Sequence, residues 1–79
     1  MFAKLFQLED GQVLVTKEYN EEEDKHELNF RTDVDGMTIK VTAKYRTEES
    51  AQNELSAYSE QSALNFRKNI LLQLGSIPY

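Results

Sequence analysis

The chain of 79 residues contains no cysteine and no tryptophan, and it has one histidine, one proline and three glycines. Without cysteine, it can form no disulfide and hold no metal ion through thiolates. A single histidine leaves only carboxylates as further zinc ligands, which is unusual for structural zinc. Few glycines and one histidine also leave little with which to build an oxyanion hole, a phosphate-binding loop or an acid–base pair. We therefore predict a non-enzymatic protein with no cofactor and no metal site.

Long apolar runs are also missing, and acidic residues outnumber basic ones. No stretch is long and apolar enough to span a bilayer, and the first residues lack the basic start and apolar run of a signal peptide. The formal net charge of −5 favours solubility and disfavours nonspecific binding to anionic membranes or nucleic acid. These features predict a small acidic cytoplasmic protein with no membrane partner and no evident small-molecule substrate.

The chain is short for a domain that folds alone. With 39% hydrophobic residues it has enough apolar material for one core but not for a deep cleft. Domains of this size are often stabilised further by disulfides, by a metal ion or by a second subunit. Because the composition removes the first two, oligomerisation is the expected source of additional stability.

The clearest pattern lies in residues 26–46, where apolar and polar residues alternate on both sides of Asp35-Gly36. Alternation that flanks an Asp-Gly pair predicts a β-hairpin with a two-residue turn. The turn fixes a register in which the apolar side chains of both strands share one face. The predicted pairs are Val34–Met37, Thr32–Ile39, Phe30–Val41, Leu28–Ala43 and His26–Tyr45.

Residues 2–19 predict another hairpin, with its turn at Asp10-Gly11. This register places Lys4 opposite Lys17 on the apolar side, and directly opposed like charges destabilise a sheet. Either both lysines reach solvent at the sheet edge, or the loop is longer and the register differs. The other predicted pairs are Leu8–Val13, Phe6–Val15 and Phe2–Tyr19.

A strongly acidic segment joins the two hairpins. Consecutive carboxylates repel one another and are poor strand formers, so a solvated, mobile loop is expected. Recognition of a partner protein is an alternative, and so is a hard-cation site, although a calcium loop alternates its ligands instead of placing them in a row. His26 follows the segment and is expected to pack on Tyr45 at the sheet rim instead of acting as a general base. The acidic residues are Glu21, Glu22, Glu23 and Asp24.

The C-terminal part predicts one long helix over residues 48–74. Thr47 fits its N-cap, Glu48 and Glu49 complement its positive end, and Gly75 fits its C-terminal stop. At about 1.5 Å per residue the helix would be about 40 Å long, so it overhangs the sheet or bends. The residues of weakest helix propensity mark the expected place of a bend. They are Ser59, Ser62 and Asn65.

This helix carries apolar residues on two sides when it is plotted at about 100° per residue. One side is expected to cover the sheet. The other repeats every seven residues, a spacing that keeps side chains nearly in line along a helix. Because burying a leucine stabilises by roughly 1.5–3 kcal/mol, we predict that this second side is an interface. It consists of Ala57, Leu64 and Leu71, which are spaced by sevens, and of Leu72, which lies further round the helix.

Together these patterns predict a single α+β domain over residues 1–79. It is a four-stranded antiparallel β-meander of two hairpins (2–46), followed by one long C-terminal α-helix (48–74) packed on one face of the sheet and a short tail (75–79). The expected function is protein–protein interaction, either as a homodimer through the second helix side or with another protein.

The alternative is a nucleic-acid-related role. It would be weak binding on the polar sheet face, or inhibition of a nucleic-acid-binding protein by an acidic mimic that uses Glu18 and the acidic segment. The basic residues of the polar sheet face are Arg31, Lys40, Lys44 and Arg46.

Overall fold

The computed structural model describes residues 2–75 and shows one antiparallel sheet followed by two helices. The strand order β1-β2-β3-β4 is that of a meander, which confirms the predicted α+β architecture. The single long helix was wrong, because the structure has two helices in its place. Residues 76–79 of the predicted tail lie outside the described residues. The elements are β1 Ala3–Leu8, β2 Gly11–Asn20, β3 Lys25–Val34, β4 Met37–Tyr45, α1 Glu48–Ala57 and α2 Glu60–Gln73.

The hairpin of β3 and β4 has the predicted register. Val34 pairs with Met37, and the ladder continues to the pair of His26 and Tyr45 at its far end. The two turn residues have positive φ, 52° at Asp35 and 79° at Gly36. Positive φ at both positions is what the favoured two-residue turn requires, and it explains why an Asp-Gly pair sets this register.

The predicted register of β1 and β2 was wrong by two residues. Leu8 pairs with Gly11 and Lys4 pairs with Val15, so the turn is at Glu9 and Asp10. A shift of two residues keeps each side chain on its predicted face. It also separates the two lysines that the predicted register had placed opposite one another.

Both lysines lie on the helix side of the sheet, where they bind the helices. Lys4 Nζ donates to the backbone oxygens of Ser56 at 3.0 Å and Tyr58 at 2.9 Å. These carbonyls lie at the C-terminal end of α1, where backbone acceptors lack helical partners and a cation is favourable. Lys17 Nζ donates to Gln52 Oε1 at 2.6 Å. The lysines therefore tie the first hairpin to α1.

The helical segment breaks at Tyr58 and Ser59, whose backbones are extended. Ser59 Oγ accepts a hydrogen bond from Ser62 N at 3.2 Å, and Ser62 Oγ accepts one from Ser59 N at 3.3 Å. This reciprocal capping box satisfies backbone donors at the start of α2. The chain therefore begins a second helix at this point instead of continuing as one bent helix. The extended Tyr58 also places its ring 5.7 Å from that of Phe6 and 5.2 Å from that of Phe30.

The core lies between the sheet and the two helices. It covers β2 and β3 well but leaves the helix side of β4 partly open, since Met37 is 52% exposed and Val41 is 42% exposed. The sequence pattern had placed both residues on the covered face. The fully buried cluster consists of Val13, Val15, Leu28, Ala51, Leu55 and Ala63.

Candidate functional site

The predicted helix interface is divided by the break between the helices. Ala57 is the last residue of α1 and is exposed, while the three leucines lie on α2. The seven-residue alignment of Ala57 with Leu64 requires a continuous helix, so it does not hold. Leu64 is nevertheless 42% exposed, and Leu71 and Leu72 are half-buried.

Leu64 and Leu71 still share one flank of α2, which we call the leucine flank. They line an open groove of about 360 Å³ together with Asp10, from the turn between β1 and β2, and with Lys68. The other flank of α2 faces inward, since the ring of Phe66 lies 5.8 Å from that of Phe30 on β3, and α2 also packs on β1. The leucine flank therefore faces away from β3, towards the outer edge of the sheet that β1 forms.

Arg67 is the residue of this region that sequence reasoning did not single out. It is only 7% exposed, and its guanidinium donates to Thr32 Oγ1 at 2.6 Å, to the backbone oxygen of Asp33 at 2.8 Å and to that of Asp10 at 2.9 Å. These contacts connect α2 with the first hairpin and with the end of β3. Its burial could have been predicted from its spacing in the helix. Arg67 follows the buried Ala63 by four residues and therefore lies on the same helix face.

Gly11 provides the space for this guanidinium. A Cβ atom at Gly11 would lie 2.6 Å from Arg67 Cζ, closer than carbon atoms approach without a shift. The guanidinium could not move aside freely, because its hydrogen bonds hold it in place. Gly11 is therefore needed here for close packing on a side chain.

The basic side chains on the polar sheet face are largely paired with carboxylates. Arg31 Nη1 donates to Thr16 Oγ1 at 2.8 Å, and its Nη2 lies 3.4 Å from Glu18 Oε2. Lys44 Nζ lies 2.7 Å from both carboxylate oxygens of Glu23. The structure places the other two predicted basic residues, Lys40 and Arg46, at exposed positions.

A polar network crosses the middle of this face. Asn29 is 2% exposed, donates to Glu18 Oε2 at 2.5 Å and accepts from Thr42 Oγ1 at 2.5 Å. The hydrogen bond from Asn29, followed by that from Thr16 and the charge of Arg31, lowers the pKa of Glu18 below its ordinary value. Because the aromatic residues of the strands alternate onto the helix side, this face offers no rings on which bases would stack.

The acidic segment forms an exposed turn between β2 and β3 that carries several hydrogen bonds. Asn20 Oδ1 accepts from Glu23 N at 3.2 Å, and Tyr19 OH donates to Asp24 Oδ1 at 2.6 Å. The hydrogen bond and ion pair with Lys44 lower the pKa of the Glu23 carboxyl. Glu21 and Glu22 remain exposed. Across residues 2–75, no three His, Asp or Glu side chains converge in a way that would hold a metal ion.

His26 pairs with Tyr45 in the register, as predicted, but its ring packs on the other neighbouring strand. The ring centroids of His26 and Tyr19 are 4.9 Å apart. Both rings line an open depression of about 450 Å³ that also includes Lys17 and Phe2. Of the polar groups in this depression, Lys17 Nζ donates to Gln52 Oε1 and the imidazole of His26 packs on the ring of Tyr19.

None of the helices in the described part of the chain is long and apolar enough to cross a membrane. Comparisons with protein-family models, with curated proteins and with solved structures gave no significant match. Function is therefore inferred from the surfaces of this chain alone.

Proposed function

We propose that this chain is a small acidic cytoplasmic protein–protein interaction module without catalytic activity, and that it forms a homodimer through the leucine flank of α2. The observation that supports this is the 42% exposure of Leu64 next to the half-buried Leu71. Both side chains lie beside the edge of the sheet, where a second molecule has access. A domain with a small core gains from covering such residues.

The leucine contact by itself is weak. Burying a whole leucine side chain stabilises by roughly 1.5–3 kcal/mol. Covering the exposed 42% of Leu64 therefore adds about 0.6–1.3 kcal/mol per subunit. Association costs about 4–15 kcal/mol in lost translational and rotational freedom. The dimer consequently needs further contacts from the surface next to the leucine flank.

A nucleic-acid-related role has less support. Arg31 and Lys44 are neutralised by carboxylates of the same chain, and the polar sheet face carries no rings for stacking. A mimic of nucleic acid needs free carboxylates, but Glu23 is paired with Lys44 of β4 and Asp24 accepts a hydrogen bond from Tyr19 of β2.

The proposal is tested by native mass spectrometry and light scattering at micromolar concentrations. The expected mass of the wild-type protein is twice the chain mass of 9.2 kDa. Leu64→Glu combined with Leu71→Glu should give a folded monomer, because the new carboxylates would be buried without partners at the interface. The matched control adds the same charges on the opposite, exposed flank of α2, as Asn69→Glu with Gln73→Glu, and should remain dimeric. A wild-type monomer at hundreds of micromolar would refute the proposal.

A further inference from the structure

The two edge strands of the sheet differ in how they are protected. An edge strand presents unpaired backbone N–H and C=O groups, and exposed lysines on it discourage pairing with another chain. β4 carries Lys40 and Lys44 on the open sheet face. β1, with the sequence AKLFQL, has only Lys4, whose ammonium is bound by the carbonyls of Ser56 and Tyr58 on the helix side. β1 is therefore the edge without protecting charge.

The hydrogen-bond pattern shows which residues of β1 face outward. Lys17 N donates to the backbone oxygen of Phe2 at 2.7 Å. Hydrogen-bonded and non-hydrogen-bonded pairs alternate along an antiparallel ladder. The even-numbered residues of β1 therefore bond to β2, and the odd-numbered residues direct their backbone groups to the open edge. The outward residues are Ala3, Leu5 and Gln7, which are arranged symmetrically about Leu5.

We propose that a second copy of this chain pairs with β1 in antiparallel orientation, with the two-fold axis between the two Leu5 residues. Leu5 then pairs with its counterpart and Ala3 of each copy pairs with Gln7 of the other, so every outward residue of β1 finds a partner. The two four-stranded sheets become one continuous sheet of eight strands. This inference rests on the proposed homodimer and specifies its geometry.

The same axis covers exposed leucines on both sides of the sheet. Leu5 is 53% exposed on the open face, and its cross-strand neighbour Leu14 is half-buried. The axis joins these two leucines with their counterparts in one apolar cluster. Across the axis, odd-numbered residues pair with odd-numbered ones and even-numbered residues with even-numbered ones. Because side chains alternate between the two faces of a strand, paired residues point to the same face, so both copies keep their helices on the same side of the sheet. The leucine flank of α2, with Leu64 and Leu71, then faces its counterpart.

Charge favours this axis over the equivalent one at the other edge. In the β1 register Lys4 lies opposite Phe6, so no like charges face each other. Full-length pairing of β4 would be centred on Val41, and it would gather Lys40 and Lys44 of both copies on one face. Lys44 is paired with Glu23, but the two exposed Lys40 side chains would lie close together on that face and repel one another, which disfavours that interface.

Cysteine crosslinking tests the axis directly, because the natural chain has no cysteine. In a hydrogen-bonded antiparallel pair the Cα atoms lie about 5.5 Å apart, within the roughly 4.4–6.8 Å that a disulfide spans. Mild oxidation of dilute Leu5→Cys should convert most of the protein to a covalent dimer that is resolved by intact mass. Val41→Cys, at the other edge, is the control and should stay uncrosslinked.

A second pair of variants keeps the test independent of oxidation. Leu5→Lys places two ammonium groups on the axis and should give a folded monomer, whereas Val41→Lys should remain dimeric. A dimeric wild type whose Leu5→Cys variant does not crosslink, or whose Val41→Cys variant crosslinks equally fast, overturns the β1 axis and leaves the proposed function standing. A monomeric wild type overturns both.

Discussion

Replacing Arg67 with methionine should remove much of the stability of this domain. The methionine keeps the apolar stem but leaves Thr32 Oγ1 and the backbone oxygen of Asp33 without their charged donor. Each buried acceptor left unsatisfied costs about 1–3 kcal/mol. The carboxylate of Asp10 is 61% exposed, so water replaces its contact at little cost. The backbone oxygen of Asp33 is only partly buried, so its loss lies at the low end of this range, at about 1 kcal/mol. Together with Thr32, the expected loss in the free energy of unfolding is about 2–4 kcal/mol.

Urea unfolding followed by circular dichroism measures this loss. Every variant must be compared at the same protein concentration, because dimerisation makes apparent stability depend on it. A chain of 79 residues has a free energy of unfolding of about 4–12 kcal/mol, so Arg67→Met should lower the midpoint visibly while leaving a folded protein. Arg46→Met removes an exposed cation outside α2 and outside the proposed interface, and it should change stability by less than about 0.5 kcal/mol.

A double-mutant cycle with Gly11→Ala separates this contact from general damage. Gly11→Ala should displace the guanidinium and destabilise the wild-type protein, but it should cost less when Arg67 is already methionine. If the two changes are additive, or if Arg67→Met costs less than about 1 kcal/mol, the guanidinium does not hold α2 on the sheet.

Three further measurements test local features of the fold. Ser59→Ala should lower the free energy of unfolding by about 1 kcal/mol, because it removes the cap of α2, and an unchanged urea midpoint would contradict the capping box. Burial raises the pKa of Tyr58 to about 12 from 10.0. The stability that this raised pKa contributes should therefore be present below pH 10.0 and be lost as the pH rises towards 12. Phenolate absorbance, with Tyr58→Phe as reference, measures the titration of Tyr58, and an ordinary pKa near 10.0 would contradict the prediction. Asn29→Ala should raise the lowered pKa of Glu18 towards 4.5, so that less stability is lost on acidification. Carboxyl NMR titration checks this shift, and an unchanged Glu18 titration would exclude the hydrogen bond as its cause.

The sequence predicted structure best where local geometry decides it. Asp35-Gly36 sets the register of β3 and β4 because both turn residues must have positive φ, and few residue pairs allow that. Apolar alternation then reports which face is buried. The four-stranded meander and its faces follow from these two signals.

Sequence reasoning failed where distant residues decide the outcome. Gly11 resembled a turn residue like Gly36, but it is glycine because the guanidinium of Arg67, 56 positions away, lies on it. Lys4 resembled an unfavourable charge on the apolar face, although it binds the end of α1. Periodicity cannot reveal such contacts, because they depend on how the helices dock.

The break between the helices shows a further limit of structure prediction from the sequence. Weak helix propensity marked Ser59 correctly as the position of a distortion. Whether the helix bends or ends there depends on the capping box and on the packing of the Tyr58 ring against the rings of Phe6 and Phe30. The break also removed Ala57 from the predicted interface. The role of Leu64 and Leu71 as an interface stays a prediction.

The meander has a consequence for how this protein opens and closes. Every strand pairs with its neighbour in the chain, so the sheet can assemble through short-range closures that are entropically cheap and fast. The guanidinium contacts of α2 instead join positions 34 to 57 residues apart. Amide exchange should therefore detect a partly open species in which α2 has detached while the strands stay protected. Such a species would expose the helix side of the sheet before global unfolding begins.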